Sequence, residues 1–215
     1  MDWTAQIDGY CERLGPGLLA EPVNLLTNAA FLIAAAVMWR RTGPARDALA
    51  VALITVLAAI GIGSALFHSL ATRWAALADV LPILIFILIY LYASNRDFLR
   101  LGRGWSLALT AAFLPYAAAL APLFGMIPGL GGSASYAPVA LLILIYAAIL
   151  WRRAPATARG LSLGAGLLIL SLGFRTLDAP ICMALPLGTH FLWHILNGIM
   201  LGWMIEVRRR HIEGR

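Results

Sequence analysis

Seven apolar runs, each near the length needed to cross a bilayer, leave this chain few folds to choose from. They are Pro22–Trp39, Ala48–Phe67, Trp74–Ala93, Trp105–Phe124, Tyr136–Trp151, Leu161–Leu177 and Gly188–Val207. A hydrocarbon core takes roughly 17–25 apolar residues per helix, and there every backbone polar group must be satisfied within the protein. Such runs therefore fold as helices. The sixth run is the most diluted, by its glycines and serines. Seven spans within 215 residues leave no room for a second domain. The expected fold is an all-α integral membrane protein, a single seven-transmembrane helix bundle over 1–215. Residues 1–21 form a polar N-terminal segment and residues 208–215 a tail. A hydrophobic content of 61% against 12% charged residues lies outside the range of soluble domains and agrees with this reading.

Charge orients the bundle. All 16 basic residues are arginine. Arg40, Arg41 and Arg46 follow the first run, Arg96, Arg100 and Arg103 the third, and Arg152, Arg153 and Arg159 the fifth. Arg208, Arg209, Arg210 and Arg215 follow the seventh, whereas the opposite ends hold only Arg13, Arg73 and Arg175. The positive-inside rule then predicts an extracytoplasmic N-terminus and a cytoplasmic C-terminus. The formal charge of +6 reflects topology and not a nucleic-acid surface, because the arginines are spread over helix ends. No protein partner is implied. The first 21 residues are polar and net acidic and do not read as a cleavable signal peptide. The longest outer loop, "FGMIPGLGGSASY", is rich in Gly, Ser and Pro and is expected to be mobile.

On this topology the ionisable residues inside the spans fall at one depth. Ser64 and His68 lie in the outer turns of the second span and Asp79 one or two turns into the third. His190 and His194 lie in the first two turns of the seventh. His190 and His194 are four apart, as are Ser64 and His68, so each pair shares a helix face. An intramembrane Asp costs roughly 2.5–3.5 kcal/mol on insertion scales, and such residues default to a functional reading. Three neutral imidazoles with an open position make a hydrolytic zinc arrangement. Asp79 can orient a histidine ligand or take a proton from water, and Ser64 can donate to an oxyanion. Taken singly, each histidine reads as an interfacial or hydrogen-bonded residue, and an i, i+4 pair also suits haem or copper. His211, in "RRRHIEGR", is excluded by depth and expected to be solvated. There is no HExxH and no G-x-S-x-G after a strand, which excludes an ordinary zincin and a serine-hydrolase elbow.

"GIGSALFHSLATRWAALADVLP" followed far downstream by "THFLWHILNG" resembles the alkaline ceramidase family, part of a wider group of seven-span metal hydrolases that includes adiponectin-type receptors. The resemblance covers essentially the whole chain. It implies that His68, His190 and His194 bind zinc, that Asp79 acts on the water and that Ser64 assists at the oxyanion. It also implies hydrolysis of ceramide, or a related N-acyl lipid, to a long-chain base and a fatty acid. The stretch "DGYCERLGPGLLAEPVNLLTN" looks like the family segment that holds calcium near the zinc. Carried over, the donors would be Asp8, Glu12, Glu21 and Asn24 with a carbonyl near Tyr10, although Leu14 stands where a side-chain donor is expected.

A membrane lipid is thus the expected partner. The leucine- and aromatic-rich walls "FLPYAAALAPLF" and "FLWHILNGIMLGW" are suited to acyl chains. An all-arginine, alanine-rich chain suggests a bacterial inner membrane, with the site near the extracytoplasmic face. Two other readings stand beside this one: the same chemistry on a non-ceramide lipid, and a receptor-like protein with a structural zinc. Cys11 and Cys182 both map outside, where a disulfide persists. They form either a bridge or two free buried thiols.

Overall fold

The computed structural model describes residues 2–44 and 46–214; Arg215 of the tail cluster lies outside the described residues. Seven long helical segments follow one another: α1 (Pro22–Arg41), α2 (Ala48–Leu70), α3 (Arg73–Phe98), α4 (Arg103–Gly125), α5 (Gly131–Leu150), α6 (Pro155–Ile181) and α7 (His190–Glu213). The first six are long and apolar enough to cross a membrane. Dilution falls on α7 and not on the sixth run as expected. His190, His194, Asn197 and Glu206 interrupt its apolar character while pointing into the protein, where all four are buried. α6, by contrast, spends its small residues on close packing, with Gly160, Gly164 and Ala165 against neighbours.

The core is built from α1, α2, α3, α5, α6 and α7, with Phe31, Leu53, Leu57, Ile60, Phe86, Ala147, Leu150, Leu161, Leu168, Met200 and Ile205 among its members. α4 is peripheral; only Ser106 and Phe113 along it are buried. Large apolar side chains such as Ile62, Val80, Ile145, Leu170 and Ile199 remain exposed along the helix flanks. So much outward-facing apolar surface belongs to a membrane protein and not to one surrounded by water. The loop after α4 is held more firmly than its composition suggests. Its 3-10 turn Gly131–Ser135 buries Ser133, whose hydroxyl donates to Leu172 O and accepts from Thr176.

The N-terminal segment lies across one end of the bundle. Ile7 N donates to Ala71 O at 2.6 Å, and Arg73 N donates to Ala5 O at 3.2 Å, so the strap pairs with the turn between α2 and α3. Cys11 and Cys182 are joined in a disulfide, Cα to Cα 5.3 Å, which fastens the strap to the end of α6. At the opposite end, Arg208 of α7 bonds Asp97 of α3 and both oxygens of Asp47 before α2. Arg41, Arg209 and Arg210 gather on Glu206. His211 is also drawn in. It is half-buried, with Nδ1 2.7 Å from Thr157 Oγ1 and its ring against Phe98, so it is not the solvated tail residue expected.

Candidate metal centre

Helix packing brings the polar residues together. A Cβ at Gly63 would collide with the backbone carbonyl of Ala78, so only glycine lets α2 and α3 approach this closely. The next residue on each helix is Ser64 and Asp79. The Ser64 hydroxyl faces the Asp79 carboxylate, and both line one cavity.

α7 is placed by an acid that sequence reasoning passed over. Asp178, buried near the end of α6, accepts from Thr189 N at 2.7 Å and His190 N at 2.9 Å through Oδ1, and from Cys11 N at 3.1 Å through Oδ2. It therefore satisfies the first free amides of α7, where the helix dipole favours a negative charge. Gly188, at φ +67, leaves room for this carboxylate; a Cβ there would strike Asp178 and Cys11. One buried acid thus fixes where the His190 helix begins.

His68, His190 and His194 come together in the bundle, each offering a ligand atom within 4.8 Å of the others, and among the described residues these three make up the metal-capable cluster. They are 1%, 2% and 0% exposed. His68 Nδ1 lies 2.5 Å from Glu21 Oε2. His194 Nδ1 lies 3.0 Å from Thr27 Oγ1, and the Thr27 hydroxyl spends its proton on the Val23 or Asn24 carbonyl. Both contacts assign the Nδ1 proton to the histidine and leave Nε2 as the lone-pair atom. His68 Nε2, His194 Nε2 and His190 Nδ1 are all buried without a hydrogen-bond partner. Buried polar atoms are seldom left so. Three of them on converging imidazoles fit a soft-to-borderline cation such as zinc. The Tyr10 ring covers the group, stacked on His190 with centroids 3.6 Å apart.

The carboxylate on the His68 ring is therefore Glu21, and Asp79 lies outside the cluster. Burial opposes ionisation of Glu21, but hydrogen bonds from His68, Arg13 and Asn24 outweigh it and hold its carboxyl below the usual range. The other predicted calcium donors do not form a cage. Glu12 gives its oxygens to the Val23 and Asn24 amides at 2.6 and 2.8 Å, capping α1. Asp8 is exposed, and Tyr10 contributes a ring to the histidines. Of the buried side-chain oxygens in this set, Asn24 Oδ1 alone lacks a partner, and calcium needs six to eight. The residues present do not fit that ion. Asp178, Thr27 and Arg13 escaped the sequence reading because no motif marks them; a buried acid in "RTLDAPIC" is the one signal that pointed to any of them.

An apolar cavity opens from this polar end. Ser64, Asp79, Tyr136, Trp193 and Asn197 line its upper part, and Phe86, Tyr90, Leu161 and Met204 its depth. Its walls come from α1, α2, α3, α5, α6 and α7. The aromatic run of α4, expected as a wall, takes no part, because α4 stands at the periphery.

Among curated proteins no individual match is found. The family model described as Ceramidase matches residues 3–209, nearly the whole chain, and the chain belongs to the ceramidase family, hydrolases that act on the amide bond of ceramide.

Proposed function

We propose that the chain is a zinc-dependent amide hydrolase that cleaves ceramide or a related N-acyl lipid to a long-chain base and a fatty acid. The observation that carries this is the buried convergence of three histidines with unpartnered nitrogens, in the same bundle as an apolar cavity that Ser64 and Asp79 line. His68, His190 and His194 would hold the ion, which when bound supplies Lewis acidity and an activated water. Glu21 and Thr27 keep His68 and His194 in the tautomer that presents Nε2. Asp79 accepts a proton as water oxygen adds to the amide carbonyl carbon. It returns that proton to the nitrogen as the C–N bond breaks, releasing amine and carboxylic acid. Ser64 donates to the carbonyl oxygen as negative charge grows there. The cavity takes a chain of the lipid and excludes water from the reacting amide.

We place all of this in a single seven-helix membrane domain, with the histidine end extracytoplasmic and the arginine end cytoplasmic. A C-terminal reporter active only in the cytoplasm should then work, and an inactive one would reverse the sidedness. For the reaction, purified protein should contain about one zinc by elemental analysis, three protein ligands being the usual catalytic set. It should also release free base from ceramide in lipid extracts followed by mass spectrometry. Release from another N-acyl lipid with ceramide untouched would move the substrate assignment; zinc with no hydrolysis of any amide lipid would favour a structural metal.

A further inference from the structure

The cation of the N-terminal segment is part of the chain. Arg13 is buried, 7% exposed, where an arginine survives only if its donors are used. All three guanidinium nitrogens are. Nε donates to Glu21 Oε1 at 2.5 Å, Nη1 to Gly15 O at 3.1 Å and Nη2 to His68 O at 2.9 Å. The second oxygen of Glu21 lies on His68 Nδ1. His68 is thus gripped at both ends by one ion pair, its carbonyl by Arg13 and its ring by Glu21. Rotation of the ring, or withdrawal of the turn that carries it, breaks one of these bonds.

We infer that Arg13 is a positioning residue for the metal centre, acting through Glu21 on His68, and that it stands as the fixed cation of this segment so that calcium has no part in the protein. The inference rests on the reading that the three histidines hold a metal. The guanidinium lies against Glu21, one of the few carboxylates in reach, and repels a divalent ion brought to the same oxygens. The planar three-bond geometry is one that lysine cannot copy.

The test uses the full-length protein and measures zinc affinity by chelator competition, apart from any turnover. Arg13→Met should weaken zinc binding by roughly 10–100-fold, the usual effect of losing an outer partner of a metal ligand. Arg13→Lys should recover part of that loss. In a Glu21→Gln background the added Arg13→Met should cost little more, because the effect passes through the carboxylate. Millimolar calcium should leave the thermal midpoint and zinc retention of the unsubstituted protein unchanged. Equal zinc affinity in Arg13→Met and the parent, or a calcium-dependent rise in the parent's midpoint, overturns the inference. If Arg13→Met does not fold, Arg13→Lys decides: severalfold weaker zinc supports the role, and parental affinity removes it. A parent protein that binds no zinc sinks both this inference and the metal reading, whereas normal zinc in every variant sinks this one alone.

Discussion

Both ends of the bundle concentrate buried polar groups, but they settle them in opposite ways. At the arginine end, Arg208 is 3% exposed and every strong donor has an acceptor, with Asp97 on Nε and the two Asp47 oxygens on Nη1 and Nη2. That network ties α7 to α3 and to the start of α2, and nothing in it is left over. At the histidine end the groups that hold the imidazoles are satisfied. Glu21, Thr27 and Asp178 each use their oxygens on neighbours, yet the three imidazoles they support keep a nitrogen apiece without a partner. A closed network stabilises a fold. A closed network around open atoms prepares a site, because its rigidity is spent on holding those atoms in place.

That contrast can be broken at several points. The largest effect is expected from replacing His68, His190 or His194 with Ala. Zinc content should fall sharply and amide hydrolysis should drop to background, since three protein ligands are the minimum for a catalytic site. Retained zinc and activity in any one of them would remove it from the ligand set. Next, Asp79→Asn should keep its zinc while turnover falls by about 10²–10⁴, as loss of a general base does. Ser64→Ala should also keep the metal and lose about 10²–10³ or less. Parental rates in both, with zinc bound, would return the centre to a structural role.

The arginine end should respond in the other currency. Arg208→Met leaves Asp97 to Arg96 alone and cuts the tie from α7 to α3 and Asp47. It should destabilise the protein by less than the about 3–5 kcal/mol of a buried charge left wholly unpaired, read as a lower unfolding midpoint, with zinc affinity unchanged in the folded fraction. Loss of zinc there would show that the two ends are coupled. The smallest effect is a pH dependence. Burial opposes ionisation of Asp47, but hydrogen bonds from Arg208 and the Ala50 amide bring its carboxyl down from an ordinary 3.8 to about 2. A lowered carboxyl contributes stability above its ordinary value and loses it as pH falls through the folded one. The unfolding midpoint should therefore decline between pH 3.8 and about 2. Asp47→Asn should flatten that decline modestly, since the side chain is 43% exposed and solvent screens it. An identical acid slope in the variant would assign the decline to other groups.

The helical, apolar character of the chain and its family were legible in the sequence. Each depends on local composition or on spacing within one helix, which linear order preserves. The i, i+4 relation of His190 and His194 is of this kind. So is the membrane itself as solvent, since length and apolarity of a run decide whether it can cross. The peripheral place of α4 was not legible, because an aromatic-rich run looks the same whether it faces lipid or a cavity.

The outer partners were hidden for a related reason. Glu21 lies 47 residues from His68, Thr27 lies 167 from His194, and Asp178 caps a helix beginning 12 residues later across a turn. An acid near a metal motif reads equally as a calcium donor or as a histidine's support, and only folding, which sets Glu21 on His68 and Arg13, separates the two. The sequence by itself determined a helical membrane chain of the ceramidase family and the three histidines that converge. The tertiary structure decided which acid holds which ligand, because a carboxylate's role follows from the donors within about 3 Å of it, and those come from segments that only folding brings together.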